Sequence, residues 1–141
     1  MSRAERAYVW VQHVARRLRE SDLELDLSPA RFSALASLLF HGGPMRLSEL
    51  ARFERVRPPT ITRLVRDLER DGLVSRRPDP DDGRAWRVGV TAAGRRLVER
   101  SRARKIALFE AHLRDQPAAT LRAIDAALDC LEPLGDEQDP E

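Results

Sequence analysis

Between Arg57 and Thr91 the chain carries an apolar stripe at helical spacing, a glycine stop and two short alternating runs, an order few folds accept. Ile61, Leu64, Val65 and Leu68 fall on one side of a helix. The opposite side holds Pro59, Arg63, Arg66 and Arg70. Pro58 or Pro59 begins this helix, because proline suits a first helical turn, and Gly72 ends it. From Leu73 the period changes to two, with Trp86, Val88 and Val90 alternating with Arg87 and Gly89. Between the two strands, Pro78-Asp79-Pro80-Asp81-Asp82-Gly83 is turn chemistry throughout. The hairpin places Arg76, Arg77, Arg84 and Arg87 beside a helix that buries one side and lines the other with arginine. Such a pair of elements is shaped to meet a polyanion.

The charge distribution agrees. Net charge is only +2 over 141 residues, but residues 46–104 hold sixteen arginines against nine carboxylates, a surplus of seven. Residues 105–141 hold three basic residues against nine acids. Lys105 is the only lysine, so a general preference for arginine accounts for abundance but not for segregation to one helical face. A local basic footprint of this kind is what nucleic-acid contact requires. With Cys130 as its only cysteine, the chain can form no intrachain disulfide and no cysteine-rich zinc site. The N-terminus lacks a signal-peptide pattern and no apolar run approaches a membrane span, so a cytoplasmic protein without membrane contact is expected.

The remaining elements read as helices. Residues 4–20 place Ala4, Tyr8, Val11, Ala15 and Leu18 on one face. Ser28 before Pro29 is a cap for a helix containing Phe32, Leu35, Leu38 and Leu39, which stops at Gly42-Gly43-Pro44. A short third helix bears Leu47, Leu50 and Ala51. Thr91 caps a long helix with Leu97, Val98, Ile106, Leu108, Phe109 and Leu113, and Pro117 opens a last one with Leu121, Ile124, Leu128 and Leu131. The predicted fold is mainly α with a small β-hairpin wing. A winged helix-turn-helix core over 28–91 is joined to dimerisation helices over 1–21 and 92–133, all in a single domain of 1–141, with a frayed acidic tail at 135–141. A minimal winged helix does not need its terminal helices, and their apolar faces predict a homodimer that reads a pseudo-palindromic site in double-stranded DNA.

Three pieces carry a family likeness by their order and spacing. They are Leu68-Glu69-Arg70-Asp71-Gly72-Leu73-Val74, Asp79-Pro80-Asp81-Asp82-Gly83-Arg84 and Val90-Thr91-Ala92-Ala93-Gly94. Residues 28 to about 100 resemble the MarR family of bacterial winged helix-turn-helix transcription regulators. The resemblance implies a DNA-binding regulator, a homodimeric repressor whose helix 58–71 enters the major groove and whose hairpin tip enters the minor groove. It implies an Asp and an Arg around the tip, matched by Asp82 and Arg84, although Gly83 stands where the family often has a second arginine. Arg46 stands where the family often caps the third helix with Thr, and Ser48 is the expected substitute. It also implies an effector pocket for a small aromatic or anionic compound, walled by helices bearing Trp10, His13, Arg17, Phe32 and His41. In the hydroperoxide-sensing branch the reactive cysteine lies near the N-terminus, where this chain has none; Cys130, between leucines, reads as buried and inert.

Residue roles follow from chemistry and position. Arg63 and Arg66 are expected to read bases, since a guanidinium can bond guanine O6 and N7 together. Arg57, Pro59, Thr60, Thr62 and Arg70 are expected along the same DNA face, with capping as the alternative for Thr60. Arg84 is the minor-groove candidate, Asp82 orients it or folds the turn, and Arg76, Arg77 and Arg87 are backbone contacts. His13, His41 and His112 share no metal-ligand spacing, and no cofactor motif is present. No nucleophile-base or phosphate-loop pattern appears, so an enzyme is not expected. The competing reading is a winged-helix module for protein–protein contact without an operator of its own.

Overall fold

A computed structural model describes residues 1–136, and the expected tail beyond Asp136 lies outside the described residues. The elements run α1 (Arg3–Leu23), α2 (Pro29–Phe40), β1 (Met45–Arg46), α3 (Leu47–Phe53), α4 (Pro58–Arg70), β2 (Val74–Pro78), β3 (Trp86–Val90), α5 (Ala92–Leu113) and α6 (Ala118–Asp136). The last helix thus continues past Gly135, where a frayed end was expected. The chain divides into two compact units, Met1–Lys105 and Ile106 onward.

In the first unit each helix starts and stops where local chemistry requires. Ser28 accepts the Arg31 N–H, as the Ser-Pro pair predicts. At the end of α4, Gly72 adopts a φ of 71°, the left-handed conformation glycine takes without steric cost. Its N–H donates to the Glu69 carbonyl and that of Leu73 to the Leu68 carbonyl, the paired bonds that close a helix end. The Thr91 hydroxyl donates to the Gly72 carbonyl at 2.6 Å and accepts the Gly94 N–H at 3.1 Å. One side chain therefore joins the end of α4 to the start of α5.

The sheet has three strands rather than the two expected, in the order β1-β3-β2, all antiparallel. β1 is two residues long, too short to show a period in sequence, and pairs Met45 with Val88 and Arg46 with Arg87. The core gathers Leu35, Leu38, Leu50, Ile61, Val65, Leu68, Val88 and Val98, with Leu64 and Phe32 packed at its edge. Trp86, which the alternation placed with Val88, is half exposed at the far end of its strand.

Gly94 shows how closely α5 approaches the turn after α4. A Cβ there would lie 2.2 Å from the Leu73 carbonyl oxygen and 2.7 Å from Val90 Cγ1. Gly94→Ala is expected to destabilise the chain by about 1–3 kcal/mol or more, as overpacking against backbone does. Urea unfolding checks this, and an unchanged midpoint would mean that α5 can shift away freely.

The second unit comprises the C-terminal part of α5 and α6. Leu113, Leu121 and Ile124 are half-buried, whereas Leu128, Leu131 and Cys130 are exposed. The expectation of a buried Cys130 is not met, because nothing among the described residues of this unit covers its side of α6.

Candidate nucleic-acid interface

On α4 the apolar stripe turns inward and the arginine face outward. Ile61, Val65 and Leu68 are buried, and Arg57, Pro59, Arg63, Arg66 and Arg70 are exposed. The N-cap is Arg57, acting through its extended backbone without a side-chain cap bond. Thr60 is therefore not the cap, since it lies inside the first turn with its N–H bonded to the Arg57 carbonyl. The Thr62 hydroxyl donates to the Pro58 carbonyl at 2.9 Å, so its proton is engaged within the helix while its oxygen can still accept.

Ion pairs divide the basic residues into two groups. Arg70 pairs with Asp67 at 2.5 Å, Arg76 with Glu69 at 3.0 Å, and Arg31 with Asp71. The last turn of α4 is thereby largely neutralised by its neighbours. Arg57, Arg63 and Arg66, together with Arg77 and Arg84 on the hairpin, form no ion pair among the described residues. Uncompensated positive charge on these elements therefore collects on α4 ahead of its last turn and on the hairpin.

Inside the hairpin loop lies a residue that sequence reasoning did not single out. The Asp79 side chain is fully buried. One of its oxygens accepts the N–H groups of Asp81 at 2.8 Å and Asp82 at 3.2 Å. The other accepts Nε of Arg46 at 2.6 Å and Nε of Arg87 at 2.9 Å. The Arg46 bond first, then that from Arg87, holds the Asp79 carboxyl well below the usual carboxylate range; the two loop N–H groups act the same way against the opposing cost of burial. Asp79 hence stays ionised at neutral pH. The stability it contributes is present above the ordinary Asp pKa and is lost only as pH falls through its lowered value.

Arg87 was expected on the DNA backbone, but its guanidinium faces Asp79 and, at 3.7 Å, Asp81. Asp82 accepts the Arg84 backbone N–H at 3.0 Å, so it folds the turn through the main chain, and the Arg84 side chain is left exposed. The N-cap of α3 is Arg46, and the Glu49 carboxylate, rather than the expected Ser48, supplies the side-chain bond at this helix start by accepting the Arg46 N–H at 2.8 Å. Asp79 is one of three carboxylates within four residues, and nothing local distinguishes the one that turns inward.

The expected effector residues do not converge. Trp10 and His13 line one open groove of about 460 Å³ along α1. Phe32 lies beneath Lys105, whose Nζ is 3.8 Å from the ring centroid. His41 packs its ring on Phe53, with centroids 4.3 Å apart. Arg17 is exposed on α1. Among the described residues no cluster of metal-ligating side chains occurs, and no helix is long and apolar enough to cross a membrane.

A helix packed at right spacing on α2 and α3, with an exposed basic face and a hairpin behind it, defines a winged helix-turn-helix protein. The MarR family profile matches residues 27–86. An uncharacterized HTH-type transcriptional regulator of Mycobacterium leprae is 40% identical over 92 residues, which cover 65% of this chain and 64% of the relative. The chain thus spans just under two thirds of that relative's length. The HTH-type transcriptional repressor IacR of Pseudomonas putida is 28% identical over 120 residues, covering 85% of this chain and 69% of the relative. Among solved structures, a mutant S. aureus MepR bound to an oligodeoxyribonucleotide superposes with a TM-score of 0.77 at 20% identity, covering 95% of this chain and 99% of that one.

Proposed function

We propose that this chain is a sequence-specific, double-stranded DNA-binding transcription regulator, acting as a repressor in the bacterial cytoplasm. The observation that carries the reading is the placement of arginines without ion pairs. Arg57, Arg63 and Arg66 lie on the exposed face of α4 and Arg77 and Arg84 on the hairpin, while neighbouring arginines are matched by carboxylates. In this docking Arg63 and Arg66 of α4 lie along base edges in the major groove, and Arg84 reaches the flanking minor groove. Thr60, Thr62 and Pro59 border the same face, and Arg70 and Arg76 sit at its paired margin. The DNA-bound MepR relative and the repressor IacR support both parts of the reading.

A homodimer fits the apolar surface each unit leaves open. In the first unit Tyr8, Trp10 and Val11 are exposed by 66%, 53% and 49%. In the second, Leu128 and Leu134 are exposed by 52% and 73%. Side chains of this size in such number indicate a surface covered by a partner. Two copies would present two α4 helices to half-sites about one helical turn apart. An effector that changes DNA affinity would meet Trp10 and His13, which share a groove on α1.

The test is capture of genomic fragments by the purified chain, then titration of a recovered duplex and a scrambled one at two salt concentrations, with sedimentation to count the chains bound. The expected result is a dimer that prefers the recovered duplex, with affinity falling as salt rises by about 0.9 logarithmic units per decade for each phosphate neutralised. Equal, salt-insensitive affinities would favour the protein–protein module.

A further inference from the structure

The bonds within the hairpin loop set its shape but not its direction. Asp79 N–H donates to the Ala85 carbonyl, Ala85 N–H to the Asp82 carbonyl, and Arg84 N–H to the Asp82 side chain. All of these lie inside residues 79–85 and would move with the loop as it swung. The β2–β3 pair that carries the loop is two-stranded beyond Arg87, because β1 reaches only Met45 and Arg46. A two-stranded ribbon is the most freely twisted form of sheet and is marginal alone. Arg46 is the one residue from outside the hairpin whose side chain bonds to the loop among the described hydrogen bonds, and it does so through Asp79. It also stands at the N-cap of α3, where its N–H is held by Glu49.

We propose that Asp79 and Arg46 are positioning residues for DNA recognition: their contact fixes the wing on the start of α3 and thereby sets where Arg84 meets the flank of the site. The inference rests on the reading that the chain binds DNA through α4 and the wing. Neither residue needs to touch DNA. Arg87 completes the support from within the hairpin, so Asp79 accepts a guanidinium from each side of the loop's base. Charge-assisted bonds to a buried carboxylate are shorter and stronger than neutral ones, and the lowered pKa of Asp79 keeps them in place at neutral pH.

The experiment compares wild type, Arg46→Met and Asp79→Asn on duplexes sharing one central site with A·T-rich or G·C-rich flanks, and on duplexes with single central base changes. Minor-groove width, and hence the attraction of an inserted arginine, differs between the flanks. Both variants should bring the ratio of affinities for the two flanks toward one. Discrimination among central bases, which belongs to α4, should stay within about twofold of wild type. Arg46→Met leaves Asp79 its other three donors and serves if Asp79→Asn fails to fold. Hydrogen exchange of the Asp81 and Asp82 amides, which bond the Asp79 carboxylate, should quicken at least tenfold in the variants in the DNA-free chain.

Wild-type flank ratios and unchanged exchange in a folded Arg46→Met chain would overturn the proposal. So would a uniform loss across all duplexes, which would mark a general structural role. A wild-type chain that binds no duplex would instead defeat the DNA reading, and the exchange measurement alone would then decide whether Arg46 anchors the loop.

Discussion

Replacing Lys105 with methionine is expected to lower the unfolding free energy by about 3–5 kcal/mol, the usual cost of leaving a buried charge without its partner. That partner is Asp22, whose side chain is 3% exposed near the end of α1. Its carboxylate accepts the Ser101 hydroxyl and, at 2.6 Å, the Lys105 ammonium. Methionine keeps much of the stem that covers Phe32 but removes the charge, leaving Asp22 one neutral donor. The double variant Asp22→Asn, Lys105→Met should recover most of the loss, since replacing both members of a buried pair is often nearly neutral. Urea denaturation of the four chains closes the cycle. Strictly additive losses would mean that the two charges do not support each other. Among twenty-five basic residues Lys105 is the single lysine, and its site takes a compact ammonium above an aromatic ring.

The second large effect concerns recognition. Arg63→Ala and Arg66→Ala are each expected to weaken binding to a cognate duplex by about 1–3 kcal/mol, roughly five- to 150-fold, and to relax base preference at one position per half-site. Both side chains are exposed on α4 and neither has an ion pair to break, so their removal should leave stability within about 0.5 kcal/mol. Arg70→Ala should cost less, because Asp67 already draws on its charge. Titration against cognate and scrambled duplexes separates the two kinds of contact. Equal loss on both would assign Arg63 and Arg66 to phosphates and set aside the docking of α4 described above.

Much of this protein was legible in its residues because the relevant forces act within a few positions. The stripe of Ile61, Val65 and Leu68 determined which side of α4 is buried, and therefore which side carries Arg63 and Arg66. Ser28, Gly72 and Thr91 set element ends through bonds that span only three to five residues, apart from the Thr91 bond to Gly72. What the tertiary structure decided involves partners far apart in the chain. Asp79 and Arg46 are separated by 33 positions, Asp22 and Lys105 by 83. No periodicity records such a pairing, so sequence alone could not tell that Arg87 faces a carboxylate while Arg84 does not. The same holds for β1, whose two residues become a strand only because β3 lies beside them. Local sequence determined which faces of the helices are apolar and which are basic; the packing of distant segments decided which of those charges are left uncompensated, because an ion pair depends on separation in space rather than along the chain.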